Sequence, residues 1–209
     1  MLGVAQGVIV AGIGTDVGKT VVSAILCERL KAYYWKPVAT GIRVGPAESE
    51  SVAGLLSEGS ARVFKEQFLF LEPLSPHIAA ALETREVRVG DFICPPCDSP
   101  LVIELAGGVM VPLNDRETNL DLIRKLALPV VVVSRHYLGS INHTLLTIEA
   151  LRSAGADVRG LVFNGEELPD SERVIRVLSG VQVIGRVPLF PSMSRKVVTE
   201  FAASCDWIV

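Results

Sequence analysis

The chain has 209 residues, 49% hydrophobic, 21% charged and 6% aromatic, with 20 Lys and Arg against 23 Asp and Glu for a formal charge of −3. That length and balance describe one compact globular domain and exclude a disordered or fibrous chain, and no basic stripe suits binding driven by nucleic-acid phosphates. Mean hydropathy is high at +0.42, yet runs such as 128–133 are far shorter than the roughly 20 residues of a membrane span, so the excess is expected in strands buried on both faces.

Residues 1–10 lack a basic segment and lead directly into a strand and a glycine loop, so no signal peptide is expected and the expected compartment is the cytoplasm. The first strand is expected over 7–11. Residues 18–32 then place Val21, Val22, Ile25, Leu26 and Leu30 on one face at helical spacing. A second strand over 33–38 runs to Thr40-Gly41, and a polar stretch over 43–51 precedes a short helix ending near residue 56. Ser75-Pro76 opens another helix through 82, with proline at the first position, where its missing N–H costs nothing.

Further strands are expected over 101–105, 129–134, 158–163 and 181–187, with helices near 119–127 and 141–154. Four cysteines are too few for a disulfide scaffold. Cys94-Pro95-Pro96-Cys97 lacks two further ligands at metal-site spacing, and its prolines disfavour a redox helix start, so free loop thiols are expected. The alternation of strand and helix predicts an α/β fold: one P-loop NTPase-like domain over 1–209, with a mostly parallel sheet and helices on both faces. In such sheets ligands bind outside the carboxyl ends of the strands, which directs attention to the loops there.

The loop after the first strand reads Gly12-Ile13-Gly14-Thr15-Asp16-Val17-Gly18-Lys19-Thr20. Its Gly-Lys-Thr end is that of a phosphate-binding loop, in which backbone N–H groups face phosphate, Lys19 reaches the terminal phosphates and the Thr20 hydroxyl suits magnesium. Five residues rather than four separate Gly12 from Gly18. Placement between a buried strand and a helix makes this a nucleoside triphosphate site rather than an ordinary glycine turn. Such enzymes also carry an acidic residue at the end of an apolar strand to organise magnesium. Here Leu101-Val102-Ile103-Glu104 supplies it, followed by Leu105-Ala106-Gly107-Gly108.

Taken in series, these residues resemble the dethiobiotin synthetases. The family's phosphate loop has the same five-residue spacing, and Gly12, Thr15, Val17, Gly18, Lys19 and Thr20 occupy it. Tyr34-Trp35-Lys36-Pro37-Val38-Ala39-Thr40-Gly41, Ser75-Pro76-His77 and Leu138-Gly139-Ser140-Ile141-Asn142-His143 match further family motifs in order. The resemblance implies ring closure of 7,8-diaminononanoate with CO2 to dethiobiotin, using ATP and Mg2+, through a carbamate and a carbamic-phosphoric anhydride. It implies Lys36 and Lys19 as the catalytic cations. Nucleotide contacts are implied at Gly14, Thr15, Asp16, Val17, Gly18, Lys19, Thr20 and Val21, and at Glu104, Leu105, Ala106 and Gly107. Thr40, Gly107, Ser140, Ile141 and Asn142 would meet the diamine, whose carboxylate is held at the last motif across a homodimer interface.

Phe163-Asn164 falls at the family's adenine position, where an Asn amide suits the N6 donor and N7 acceptor; alone, Asn164-Gly165 is equally a good turn. Pro188, Leu189 and Phe190 match the segment against the base. The implied metal ligands are Thr20 and Glu104. A third, the family's loop aspartate, aligns with Ser51, which leaves Glu50 or Glu48 to replace it, Glu50 being taken as the third ligand. A second departure is Leu105, which stands where the family has glycine and whose Cβ disfavours positive φ.

Two other readings use the same loop. Partition and septum-site ATPases share this type of sheet, but they carry a signature lysine where this chain has Gly14. A ligase domain of amidotransferase-like synthases is also similar, although no glutaminase is expected to follow Val209.

Overall fold

The structure is a computed structural model and describes residues 6–207; the first five residues of the segment read as lacking a signal peptide lie outside them. Eight strands and seven α-helices are found among the described residues: β1 (Gly7–Gly12), α1 (Lys19–Leu30), β2 (Tyr33–Trp35), β3 (Val38–Thr40), α2 (Glu48–Leu55), β4 (Phe68–Phe70), α3 (Pro76–Leu82), β5 (Leu101–Gly108), α4 (Asn119–Leu126), β6 (Val130–Arg135), α5 (Ser140–Ser153), β7 (Val158–Asn164), α6 (Pro169–Ser179), β8 (Val183–Val187) and α7 (Arg195–Ser204). Six strands form one parallel sheet in the order β2-β5-β1-β6-β7-β8.

The apolar runs become the middle of that sheet. Ile9 pairs with Ile103 on one side and Val130 on the other, and all three are fully buried. Strands covered on both faces need no alternation of polar residues, which explains the high hydropathy. From β1 the chain steps in one direction to β2 through α1, whereas β6 steps in the other to β7 through α5. Right-handed crossovers in opposite directions put those helices on opposite faces of the sheet.

The strand expected over 33–38 divides at Lys36-Pro37. Tyr33–Trp35 stays in the main sheet, while β3 pairs with β4 in a separate parallel ribbon. Pro37 has no N–H for a ladder, and its carbonyl accepts from the amides of Gln67 and Phe68 at 3.1 and 3.0 Å. The break leaves Lys36 between two sheets, at the carboxyl end of β2.

Strand β4 and helices α6 and α7 were not anticipated. The last two had usable signals: Pro169 at the first turn with Asp170 and Glu172 beside it, and Ser194, whose Oγ accepts from Val197 N. Ile175 with Ser179, and Val198 with Ala202, are the buried i,i+4 pairs of these helices. Strand β5 runs to Gly108, past the expected end at 105, because pairing with β1 resumes at Gly12–Gly108 after a register shift beyond Val10–Glu104.

Candidate active site

Helix α1 begins at Lys19 behind Gly18, which has φ 97°. A Cβ there would stand 2.0 Å from Asn164 Nδ2, so both the turn and the close approach of β7 demand glycine. Lys19 folds back over the loop and donates to the Gly14 carbonyl at 2.8 Å. Burial lowers its pKa to about 8, against the opposing field of Glu104.

Thr20 Oγ1 donates to Glu104 Oε1 at 3.0 Å, across 84 residues of sequence. Glu104 is 1% exposed and also accepts from the Tyr34 hydroxyl at 3.0 Å and the Lys36 ammonium at 3.1 Å. Glu48 closes the other side of Lys36 at 2.6 Å. Burial works to lower the Lys36 pKa, but Glu104 and Glu48 outweigh it and hold it above the usual lysine value. Burial and the same Glu104 charge keep Tyr34 well above the usual phenol range, hence protonated and a donor.

These groups line a cavity of about 550 Å³ with Thr15, Thr40 and Gly107, within the size range of small-ligand sites. Gly107 has φ 66°, and a Cβ there would meet Val111 Cγ2 at 2.8 Å. Asn119 fixes this turn by donating to the carbonyls of Ala106 and Gly108 at 2.7 and 2.9 Å. Ser75 and Pro76 form the opposite wall, and the Ser75 hydroxyl is 2.9 Å from His77 Nδ1.

Most of the sequence-derived site is therefore assembled: Thr15, Asp16, Gly18, Lys19, Thr20, Lys36, Thr40, Glu104, Ala106 and Gly107 all border the cavity. Glu50 does not. It is exposed on α2, and the carboxylate at the cavity is Glu48. Two residues along a helix turn a side chain to a different face. Leu105 needs no positive φ, since the left-handed residue is Gly107; its side chain is 1% exposed and packs in the core, which leaves only its backbone to meet a nucleotide.

Gly14 and Val17 serve through the backbone. Val17 is buried and its carbonyl accepts from Asn164 Nδ2 at 2.9 Å, so Asn164 braces the phosphate loop from the end of β7. Val21 is half-buried on α1. Pro188 and Leu189 are exposed beyond β8, and Phe190 packs edge-on against Phe201. Ser140, Ile141 and Asn142 do not border this cavity. The Ser140 amide is taken by the Tyr137 carbonyl at 2.9 Å, leaving those of Ile141 and Asn142 as the free first-turn donors of α5.

Tyr34 is the group at this cavity that the sequence analysis did not single out, and Glu48 was named there only as the alternative to Glu50. Tyr34 lay inside a quoted motif, two residues before Lys36, so its side chain shares the lysine's side of the strand.

A family model described as an AAA domain matches residues 6–197. Among curated proteins, the ATP-dependent dethiobiotin synthetase BioD of Christiangramia forsetii is 48% identical over 193 residues, 92% of either chain. That of Paramagnetospirillum magneticum is 42% identical, covering 90% of this chain and 91% of its own. Among solved structures, the cell division ATPase MinD of Pyrococcus furiosus superposes with a TM-score of 0.56 at 17% identity, over 95% of this chain and 97% of that one. At that identity the likeness is one of fold.

Proposed function

The chain belongs to the AAA-domain family and, within it, to the ATP-dependent dethiobiotin synthetases, ligases of biotin biosynthesis, and on that premise we propose how its residues carry the reaction. The substrates are 7,8-diaminononanoate, CO2 and ATP. One amine adds to CO2 and loses a proton to give a carbamate. A carbamate oxygen attacks the γ-phosphorus and displaces ADP, forming a carbamic-phosphoric anhydride. The second amine then attacks the carbamoyl carbon, phosphate leaves, and the ureido ring closes.

Transfer of a phosphoryl group to so weak a nucleophile depends on cations placed where charge gathers. The observation that carries this reading is the Lys36 ammonium, enclosed by Glu104 and Glu48 in a cavity it shares with Lys19. Its raised pKa keeps it charged, so it meets the carbamate and the transferring phosphoryl as a cation. Lys19 and the loop amides hold the β- and γ-phosphates. Thr40 and Gly107 face the diamine chain.

Magnesium fits the donor set: Thr20 Oγ1 and Glu104 Oε1 are hard oxygens 3.0 Å apart, a sparse pair of the kind magnesium uses when phosphates complete its shell. When bound, it would neutralise phosphate charge. Glu48, rather than Glu50, is the further carboxylate within reach of this cavity. At the other end of the nucleotide, Asn164 Oδ1 and the segment Pro188, Leu189 and Phe190 would receive adenine.

The diamine's carboxylate would lie on the free Ile141 and Asn142 amides of a second copy. Support for that homodimer comes from the apolar surface around α5 and α6, where Leu138, Leu146, Val177 and Leu178 are at least 59% exposed. No helix of the described residues is long and apolar enough to cross a membrane, which is compatible with work in the cytoplasm. The test is ATP consumption with and without added 7,8-diaminononanoate and bicarbonate. Turnover should require both, and ADP and dethiobiotin should form in equal amounts. Diamine-independent hydrolysis at the same rate would return the chain to the switch ATPases.

A further inference from the structure

The end of β6 carries an arginine that the reaction above does not use. Arg135 closes β6 directly beside Asn164, its partner in the β6–β7 register. Its side chain is exposed, and Nη1 reaches the Asp16 carbonyl of the phosphate loop at 3.4 Å. The same side chain borders the Gly165 turn: its Cγ and Nε lie 3.9 Å from the point a Gly165 Cβ would occupy, and Leu189 Cδ2 lies 4.0 Å from that point. Gly165 thus separates a guanidinium from an apolar side chain, at the end of the sheet where the nucleotide leaves the phosphate loop.

Arg186 provides an internal contrast. It also reaches this turn, with Nη1 3.5 Å from the Gly165 carbonyl, but its guanidinium is paired with Glu172 and lies over the Phe163 ring. Glu172 in turn bonds His136, whose ring stacks on that of Phe163 with centroids 5.1 Å apart. That cluster pairs its charges internally, leaving only His136 Nδ1 without a partner, and supports the turn from within. Arg135, among the described residues, has no carboxylate within 4.0 Å. A planar cation without a counter-charge, held beside a nucleotide site, has one face and most of its donors to offer a ligand.

We propose that Arg135 is the stacking platform for the nucleotide base: its guanidinium lies against one face of the ring, Leu189 against the other, with Gly165 leaving the space between them. The proposal rests on the placement of adenine at the end of β7 and extends it by dividing the work of recognition. Asn164 meets the edge of the base and tells one base from another; Arg135 meets the face, which every base presents, and adds affinity without choosing. Planarity matters here as much as charge, so lysine is not an equivalent residue.

Equilibrium titration of the full chain with ADP and with inorganic tripolyphosphate, which has charge but no base, separates the outcomes. Arg135→Ala should weaken ADP binding about tenfold and leave tripolyphosphate within about twofold, and Arg135→Lys should restore only part of the loss. Unchanged ADP affinity in Arg135→Ala overturns the proposal. Equal weakening of both ligands also overturns it, by assigning the guanidinium to the phosphates or to the Asp16 turn. Full recovery by lysine would show that charge alone is used. A wild-type chain that holds ADP no more tightly than inorganic pyrophosphate, which is ADP's phosphate chain without the base, has no base site at β7, and then the adenine placement itself fails, not Arg135 alone.

Discussion

Glu48 Oε1 lies 2.6 Å from the Lys36 ammonium, although the two residues belong to different elements separated by the β3 ribbon and a polar turn. With Glu104 on the opposite side at 3.1 Å, the pair converts a lysine at the mouth of a strand into a buried, permanently charged group. The arrangement depends on Pro37, which ends β2 and leaves Lys36 outside both ladders.

Removing that cation should stop the chemistry more than it weakens the nucleotide. Lys36→Met is expected to lower turnover by about 10²- to 10³-fold with ADP affinity nearly unchanged, as titration would show. It should also destabilise the fold by about 3 kcal/mol, because Glu104 is left buried with one charge partner fewer. Adding Glu104→Gln should recover stability in urea unfolding without recovering activity. If ATP affinity collapses while turnover at saturating ATP survives, Lys36 is a binding residue only.

Glu104→Gln by itself should move the magnesium titration of the reaction to higher concentration, since a neutral amide is a poor ligand for a hard cation. Tyr34→Phe removes one of three donors to the same buried carboxylate. It should cost about 1 to 3 kcal/mol of stability and shift the titration less. An unchanged magnesium profile in Glu104→Gln would leave the metal to Thr20, Glu48 and the phosphates.

Lys19 gives a pH dependence with a definite sign. Its pKa in the nucleotide-free protein is about 8, below the ordinary 10.5, and phosphate in the loop will raise it. Binding therefore takes up a proton only above about pH 8. ADP affinity should be flat in this respect between about pH 7 and 7.5, then fall toward about tenfold per pH unit at higher pH. For folding, the unfolded chain holds this proton more firmly than the folded one between about 8 and 10.5, so the lysine's contribution to nucleotide-free stability rises with pH across that window. Lys19→Ala should abolish ATP turnover with the fold intact, and Lys19→Arg should remove the pH dependence above 8.

The homodimer can be tested by complementation. Asn142→Asp places a negative charge where the substrate carboxylate would sit, at a helix start that tolerates aspartate, and Lys19→Ala removes the phosphate cation. Neither chain should be active alone. Mixed and re-associated in equal amounts, they should recover about one quarter of wild-type activity, because half the dimers are mixed and each has one intact composite site. Mixed dimers proven by mass and still inactive would place the whole substrate within one subunit.

Much of this site was legible in one dimension because its chemistry is contiguous. The run Gly12 to Thr20 carries its own geometry: glycine at the left-handed turn, then lysine and threonine at the start of a helix, wherever such a loop occurs. Glu104 was equally readable as the acidic end of an apolar strand, and the alternation of buried runs with helical periods determined the parallel α/β class. What only the tertiary structure decided are the relations between separate segments. Whether Glu48 or Glu50 meets Lys36 depends on how α2 is rotated about its axis, and two residues of helix reverse much of that direction. Leu105 in place of glycine is harmless because its side chain packs in the core and the positive φ falls at Gly107. Arg135 beside Gly165, and Asn164 beneath the phosphate loop, are consequences of strand register between β6, β7 and β1. Local sequence specifies the strands, but packing of the whole sheet specifies which of their ends meet.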